Sequence, residues 1–224
     1  MTMTSEKDNG AGSGKIFTEM IVIRHGQTES NREGKLQGHQ DARLDAEGIR
    51  QAEQLADRLT GETFGAIYCS DLIRAVVTAE IIAARCGTEL QVCPELREWQ
   101  LGELENITYE EGRRLYPEIM EGFKYDYADI IIPGGESKQE FYRRAVLAME
   151  TIAAAHPGDR VLVVTHGGVL QAMLKHVLGA DNCWRFLPRS SNTGYNKFLR
   201  RDGVWQLCCW NDTSHLDRIG MGDL

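Results

Sequence analysis

The sequence predicts an α/β protein: a three-layer α/β/α arrangement with a mostly parallel central sheet and an antiparallel hairpin at one edge. Three observations lead there. Short apolar runs with strand character recur at residues 20–23, 66–69, 90–93 and 161–165. Stretches with helical spacing lie between them, and that alternation implies parallel strands with helices on both faces. Near the end of the chain, two further runs at 195–199 and 204–210 flank the turn sequence RRDG, which reads as a hairpin of antiparallel edge strands.

Taken in order, the first strand is followed by an apolar stripe through Ile49, Ala52, Leu55, Ala56 and Leu59. The second strand leads into Leu72, Val76, Ala79 and Ala83, again at helical spacing. Before the fourth strand, Phe141, Ala145, Ala148, Met149 and Ile152 form a third stripe, and Val169, Leu170, Met173, Leu174 and Val177 form a fourth behind it. Residues 1–14, MTMTSEKDNGAGSG, contain acids and no apolar stretch, so they read as a flexible tail rather than a secretory signal. The remainder, 15–224, is expected to be a single domain.

The balance of residues narrows the partners. Apolar residues make up 42% and charged residues 26%, enough for a sizeable buried core, and no apolar run reaches the length of a membrane span. A net charge of −8 argues against nucleic acid or an anionic membrane surface. It also makes any local cluster of arginines informative. The six cysteines, including Cys183, show no CxxC pair or regular spacing, which favours reduced thiols and a cytoplasmic location.

In an open parallel sheet, ligands bind in the crevice beyond the strands' carboxyl ends. Here those ends carry Arg24–His25–Gly26, then Ser70–Asp71 with Arg74 one turn on, then Leu96–Arg97–Glu98, then His166–Gly167–Gly168. Arginine forks match pairs of phosphoryl oxygens, and a helix opening at Gly167 favours an anion. Gly26 and Gly167 are expected to let backbone N–H groups approach a ligand closely. A histidine can attack phosphorus, and a carboxyl group such as Glu98 can protonate a departing alkoxide. These parts fit phosphoryl transfer.

The stretches IRHGQTESN, KLQGHQDARL, SDLIRAVVTAE, LREWQLGELE, PGGES, VTHGGVL and NDTSHL, in that order, resemble the histidine phosphatase superfamily, branch 1, the cofactor-dependent phosphoglycerate mutase-like family. The resemblance implies His25 as the nucleophile that becomes phosphohistidine and Glu98 as the proton donor. It implies Arg24, Arg74 and His166 as the phosphoryl grip, His166 protonated, joined by Asn31, Gln37 and Gly38 and by the N–H of Gly167. No metal or other cofactor is expected. The implied partner is a small phosphorylated metabolite, acted on by a monomer or homodimer.

Two departures from the family's mutases favour a phosphatase-type member. The interval 101–133 is short, and Gly168 with Val169 follows the second HG where mutases carry a polar residue. The expected activity is therefore hydrolysis of a small phosphomonoester, such as a sugar phosphate or phosphoglycerate-like acid. Phosphoglycerate mutase and fructose-2,6-bisphosphatase-like activity stand as the alternatives. Residues 122–132 read equally as a lid over the crevice or as packing. Arg113–Arg114 reads chiefly as solvated helix surface, with a second anion site as the other possibility. His39, His156, His176 and His215 are expected at helix ends, in packing or in solvent.

Overall fold

The computed structural model describes residues 16–125, 129–180 and 188–216. The expected tail, Cys183 and the middle of the 122–132 segment lie outside the described residues. Strands β1 (Thr18–Arg24), β2 (Ala66–Cys69), β3 (Leu90–Val92) and β4 (Arg160–Thr165) are joined in the sheet by β5 (Tyr195–Arg201) and β6 (Val204–Asp212). Their spatial order is β3-β2-β4-β1-β5-β6. The pairs β1/β4, β2/β4 and β2/β3 are parallel, and β1/β5 and β5/β6 are antiparallel. This is the mixed sheet expected from the sequence, with its hairpin at one edge.

Strand side chains alternate between faces, so each central strand supplies two cores. Ile21, Ile23, Leu162 and Val164 face one way, packed with Leu55 of α2 (Ala46–Arg58) and Ile82 of α3 (Ile73–Cys86). Met20, Val22, Val161 and Val163 face the other way. There they meet Met149 of α6 (Lys138–Ala155) and Met173 of α7 (Gly167–Leu178). Three layers follow directly from that alternation.

The remaining helices are a short turn α1 (Glu29–Arg32) and the pair α4 (Tyr109–Leu115) and α5 (Pro117–Tyr125). The last two sit over a smaller core of Leu36, Leu101, Leu104, Met120, Ile130 and Ile132. Two details differ from the sequence pattern. Ile49 lies on α2 but is 41% exposed, at the margin of the apolar stripe. The edge strand β3 leaves Val92 55% exposed and stops short of Cys93, because only one neighbour is available to bury it.

The topology decides where chemistry can sit. Strand β4 inserts between β1 and β2, so the chain's first and fourth strands are neighbours although 135 or more residues separate them. Arg24 pairs with Thr165 in register, which sets His25 and His166 side by side at the same sheet edge.

Candidate active site

His25 continues β1 by donating its backbone N–H to Thr165 O at 2.9 Å. Its side chain is 2% exposed, and Nδ1 lies 2.7 Å from Gly26 O. A carbonyl can only accept, so the proton sits on Nδ1 and Nε2 keeps its lone pair. Burial, with Arg74 and Arg24 adding to it, pushes the His25 pKa well below the usual histidine range. The ring is therefore neutral at pH 7, with its nucleophilic nitrogen fixed in orientation.

Gly26 serves a different purpose from the one expected. Its N–H is taken by Thr78 Oγ1 at 3.0 Å, so it is not offered to a ligand. A Cβ at this position would stand 2.4 Å from Gly48 O, in the first turn of α2. The glycine is needed for close packing of the chain as it leaves the strand.

His166 is fully buried, and its ring centroid lies 5.2 Å from that of His25. Ser70 Oγ, at the end of β2, lies 2.8 Å from His166 Nε2 and accepts the Leu72 N–H at 3.3 Å. A hydroxyl can donate or accept, so this bond leaves the tautomer open, while the other ring nitrogen, Nδ1, has no partner among the described residues. Burial, then Arg74 and His25, drive the His166 pKa well below its normal value. The resting ring is thus neutral, not protonated as expected. Only an arriving anion would favour its charged form.

Arg24 donates from Nη1 to Ser190 O at 2.7 Å, and Arg74 donates to Gln40 O at 2.6 Å and Gly38 O at 2.8 Å. Arg74 is 1% exposed; burial lowers its pKa to about 10, so it stays cationic at neutral pH. Among the described residues, the Nε atoms of both arginines and His166 Nδ1 are buried and have no partner. Buried donors without acceptors are rare and costly. Two such donors and an open imidazole nitrogen beside a nucleophilic histidine suit one group with several acceptor oxygens.

The loop after β1 completes the grip. Asn31 Oδ1 accepts from the Thr28 N–H and from Asn192 Nδ2, which leaves its own Nδ2 as the donor for a ligand. Gln37 Oε1 accepts from Thr28 Oγ1 at 3.1 Å. Gly38 holds φ at +54° while its carbonyl supports Arg74, and a Cβ there would meet Glu105 Oε1 at 2.2 Å. Gly167 opens α7 beside Arg24; a Cβ on it would sit 3.6 Å from Arg24 Nε. Asn31, Gln37, Gly38 and Gly167 all line the same cleft as Arg24, His25, Arg74 and Glu98.

Glu98 faces that cleft with one carboxylate oxygen on the Trp99 N–H at 2.9 Å and the other on the Gly168 N–H at 3.0 Å. It is not the partner of Arg97. That arginine is held by Asp71 through two bonds of 2.7 and 2.6 Å, so the salt-bridge role falls to Asp71. Gly168 is glycine because a Cβ would stand 2.1 Å from Glu98 Oε1.

The cleft has a volume of about 840 Å³. Beyond the expected residues, Trp99, Tyr109, Lys138, Gln171 and Ser190 line it. Burial and the nearby Glu98 raise the Tyr109 pKa, which keeps its hydroxyl a donor. Of the arginine pair, Arg113 lines the cleft and Arg114 does not. In the described part of 122–132, Phe123, Lys124, Tyr125 and Ile130 line the cleft, and Ile130 and Ile132 are buried in the smaller core. His156, His176 and His215 make packing contacts with Tyr68, Glu150 and Thr193. His39 does more than pack, since its Nε2 donates to Glu98 O at 2.8 Å. Among the described residues, no group of three or more His, Cys, Asp or Glu is placed to hold a metal ion. No described helix is long and apolar enough to cross a membrane.

Comparison with known proteins identifies the family. Residues 20–213 match the model of the histidine phosphatase superfamily (branch 1). The chain is 39% identical over 208 residues to phosphoglycerate mutase-like protein 4 of Arabidopsis thaliana, covering 91% of this chain and 89% of that one. It is 38% identical over 206 residues to a metal-independent phosphoserine phosphatase of the same plant, covering 91% and 85%. A mutant phosphoserine phosphatase from Entamoeba histolytica, solved in complex with phosphoserine, superposes with a TM-score of 0.80 at 28% identity, covering 89% of this chain and 99% of that one. The chain belongs to the histidine phosphatase superfamily, branch 1, as a phosphatase-type enzyme acting on small phosphomonoesters.

Proposed function

We propose that this chain hydrolyses a small phosphomonoester bearing a second anionic group, such as a phosphorylated hydroxy or amino acid, through a phosphohistidine at His25. One observation carries the reading. The Nε2 lone pair of a buried, neutral His25 faces a cleft that Arg24 and Arg74 also line, and the Nε donors of both arginines and Nδ1 of the neighbouring His166 lack partners among the described residues.

In the first step the Nε2 lone pair forms a bond to phosphorus while the bond from phosphorus to the ester oxygen breaks. Glu98 gives its proton to that departing oxygen. In the second step a water oxygen attacks phosphorus and its proton passes to the Glu98 carboxylate. The phosphorus–nitrogen bond breaks, and the electron pair returns to Nε2. Arg24, Arg74, His166, Asn31, Gln37 and the Gly167 N–H hold the phosphoryl oxygens, so the chain's own donors supply the charge stabilisation.

The second anionic group is supported by the outer cleft. Lys35, Arg113, Lys124 and Lys138 line it against Glu121, in a chain whose net charge is −8. Lys35 shares its ammonium with Glu33 at 2.8 Å, so Arg113 and Lys124 carry most of that attraction. The plant and amoebal phosphoserine phosphatases add weight to a phosphorylated amino acid. The free thiols of Cys69, Cys86, Cys93, Cys208 and Cys209 fit a reducing compartment, and we place the activity in the cytoplasm.

The test is a panel of phosphorylated metabolites assayed for free phosphate, with phosphoglycerate isomerisation followed in parallel. Acid-labile phosphate on the quenched enzyme and its absence from His25→Ala are expected, with kcat reduced at least about 1,000-fold. Isomerisation without phosphate release would overturn hydrolysis. An alanine variant that keeps more than a trace of turnover would overturn the nucleophile.

A further inference from the structure

A clasp outside the cleft holds the backbone that carries Glu98. Arg144, on α6, donates from Nη1 to Glu95 O at 2.8 Å and Arg97 O at 3.0 Å, and from Nη2 to Glu98 O at 3.2 Å. The same guanidinium reaches both Glu136 carboxylate oxygens, at 2.5 and 3.3 Å. Glu136 in turn accepts the Gln100 N–H at 3.1 Å through its side chain and the Trp99 indole N–H at 2.9 Å through its backbone. Its own N–H donates to Gln100 O at 3.2 Å. One ion pair therefore grips the loop on both sides of residue 98.

The clasp and the cleft meet in Trp99. Its ring stacks on Phe141 of α6 at an interplanar angle of 4° and touches Phe123 of α5, while its backbone N–H holds Glu98 Oε1. The guanidinium and carboxylate are 24% and 16% exposed, partly shielded from water. A lysine could keep the charge at 144, but a single ammonium cannot reproduce the planar fork that bonds three carbonyls and a carboxylate.

We propose that Arg144 and Glu136 are positioning residues for the proton donor, setting the height of the Glu98 carboxylate over the cleft. The proposal rests on the acid role of Glu98 given above. It separates from a general stabilising role because a misplaced acid harms only substrates whose leaving oxygen needs a proton. Arg144→Ala is expected to lower kcat on an alkyl phosphate such as phosphoserine by about 10- to 100-fold, and on nitrophenyl phosphate by less than about threefold. Arg144→Lys and Glu136→Gln should show the same skew with smaller losses, and they carry the test if the alanine variant does not fold. Added to Glu98→Gln, Arg144→Ala should cost less than about a further threefold on the alkyl ester, since both act through one group.

Equal losses on the two esters, or losses that multiply in the double variant, would overturn the clasp while leaving the acid assignment intact, provided Glu98→Gln itself discriminates between the esters. If Glu98→Gln does not discriminate, the acid role and the clasp both fall.

Discussion

The two halves of the cleft are built differently. The inner half is the carboxyl edge of the sheet, where β1, β2 and β4 are packed on both faces and set His166 beside both His25 and Ser70. The outer half is the wall made by α4 and α5, resting on a small core of its own and lined by Tyr109, Arg113, Phe123 and Lys124. Groups that must meet one phosphoryl unit to within fractions of an ångström stand on the stiff half. Groups that need only attract a variable remainder of the substrate stand on the half that can change without disturbing the sheet.

That division predicts a gradient of effects. After the loss of the nucleophile itself, Arg74→Lys on the inner half should have the largest, a fall in kcat/KM of about 100- to 1,000-fold in steady-state assays. It removes the fork that bonds Gly38 and Gln40 together with the Nε donor. Gly168→Ala comes next. The added methyl would stand 2.1 Å from Glu98 Oε1, which must give up its bond to the Trp99 N–H, and 3.0 Å from Phe141 Cζ, which must shift by a few tenths of an ångström, so the acid is displaced more than the fold. A loss of about 10-fold or more on alkyl phosphates, with nitrophenyl phosphate nearly spared, is the expected kinetic signature.

On the outer half, Arg113→Gln should raise KM for a carboxylated phosphoester by about three- to tenfold, leave kcat within about twofold, and hardly change nitrophenyl phosphate kinetics. A matching fall in kcat would mean that the wall takes part in the chemistry, and the contrast between the halves would be lost.

The smallest effect concerns stability at the sheet edge. His215 joins Thr193 Oγ1 at 3.1 Å, and the Thr193 N–H donates to Arg24 O at 2.9 Å. Burial, helped by Arg58, lowers the His215 pKa from 6.5 to about 4. A lowered folded-state value means that the unfolded chain binds the proton first as pH falls. The stability is full above about pH 6.5 and is lost on acidification towards pH 4, by about 1–3 kcal/mol. Thermal melts of His215→Asn should show a shallower fall of Tm across that window, with activity at pH 7.5 little changed.

Much of the inner half can be read in the chain because strands advertise themselves by short apolar runs, and parallel strands end at one edge. Arg24, His25, Arg74, Glu98 and His166 could therefore be assigned to one site before any coordinates. Ser70 stood at a strand end too, although its partnership with His166 Nε2 depends on β4 entering beside β2. The outer half was harder. Tyr109 and Lys138 reach the cleft from α4 and α6, and neither lies at a strand end or shows a pattern that separates it from ordinary helix surface. Gly26 was misread because a glycine after a strand looks the same whether a ligand or another helix passes close to it.

By itself, the sequence determined the layers, the hairpin and the set of groups able to handle a phosphoryl anion, since these follow from periodicity and from side-chain chemistry, both local properties. Only the tertiary structure decided the state of those groups. The neutral rings of His25 and His166, the pairing of Arg97 with Asp71 and the bracing of Glu98 by Arg144 arise from burial and from neighbours distant in sequence. Desolvation and hydrogen bonding act through space, and spacing along the chain does not encode them.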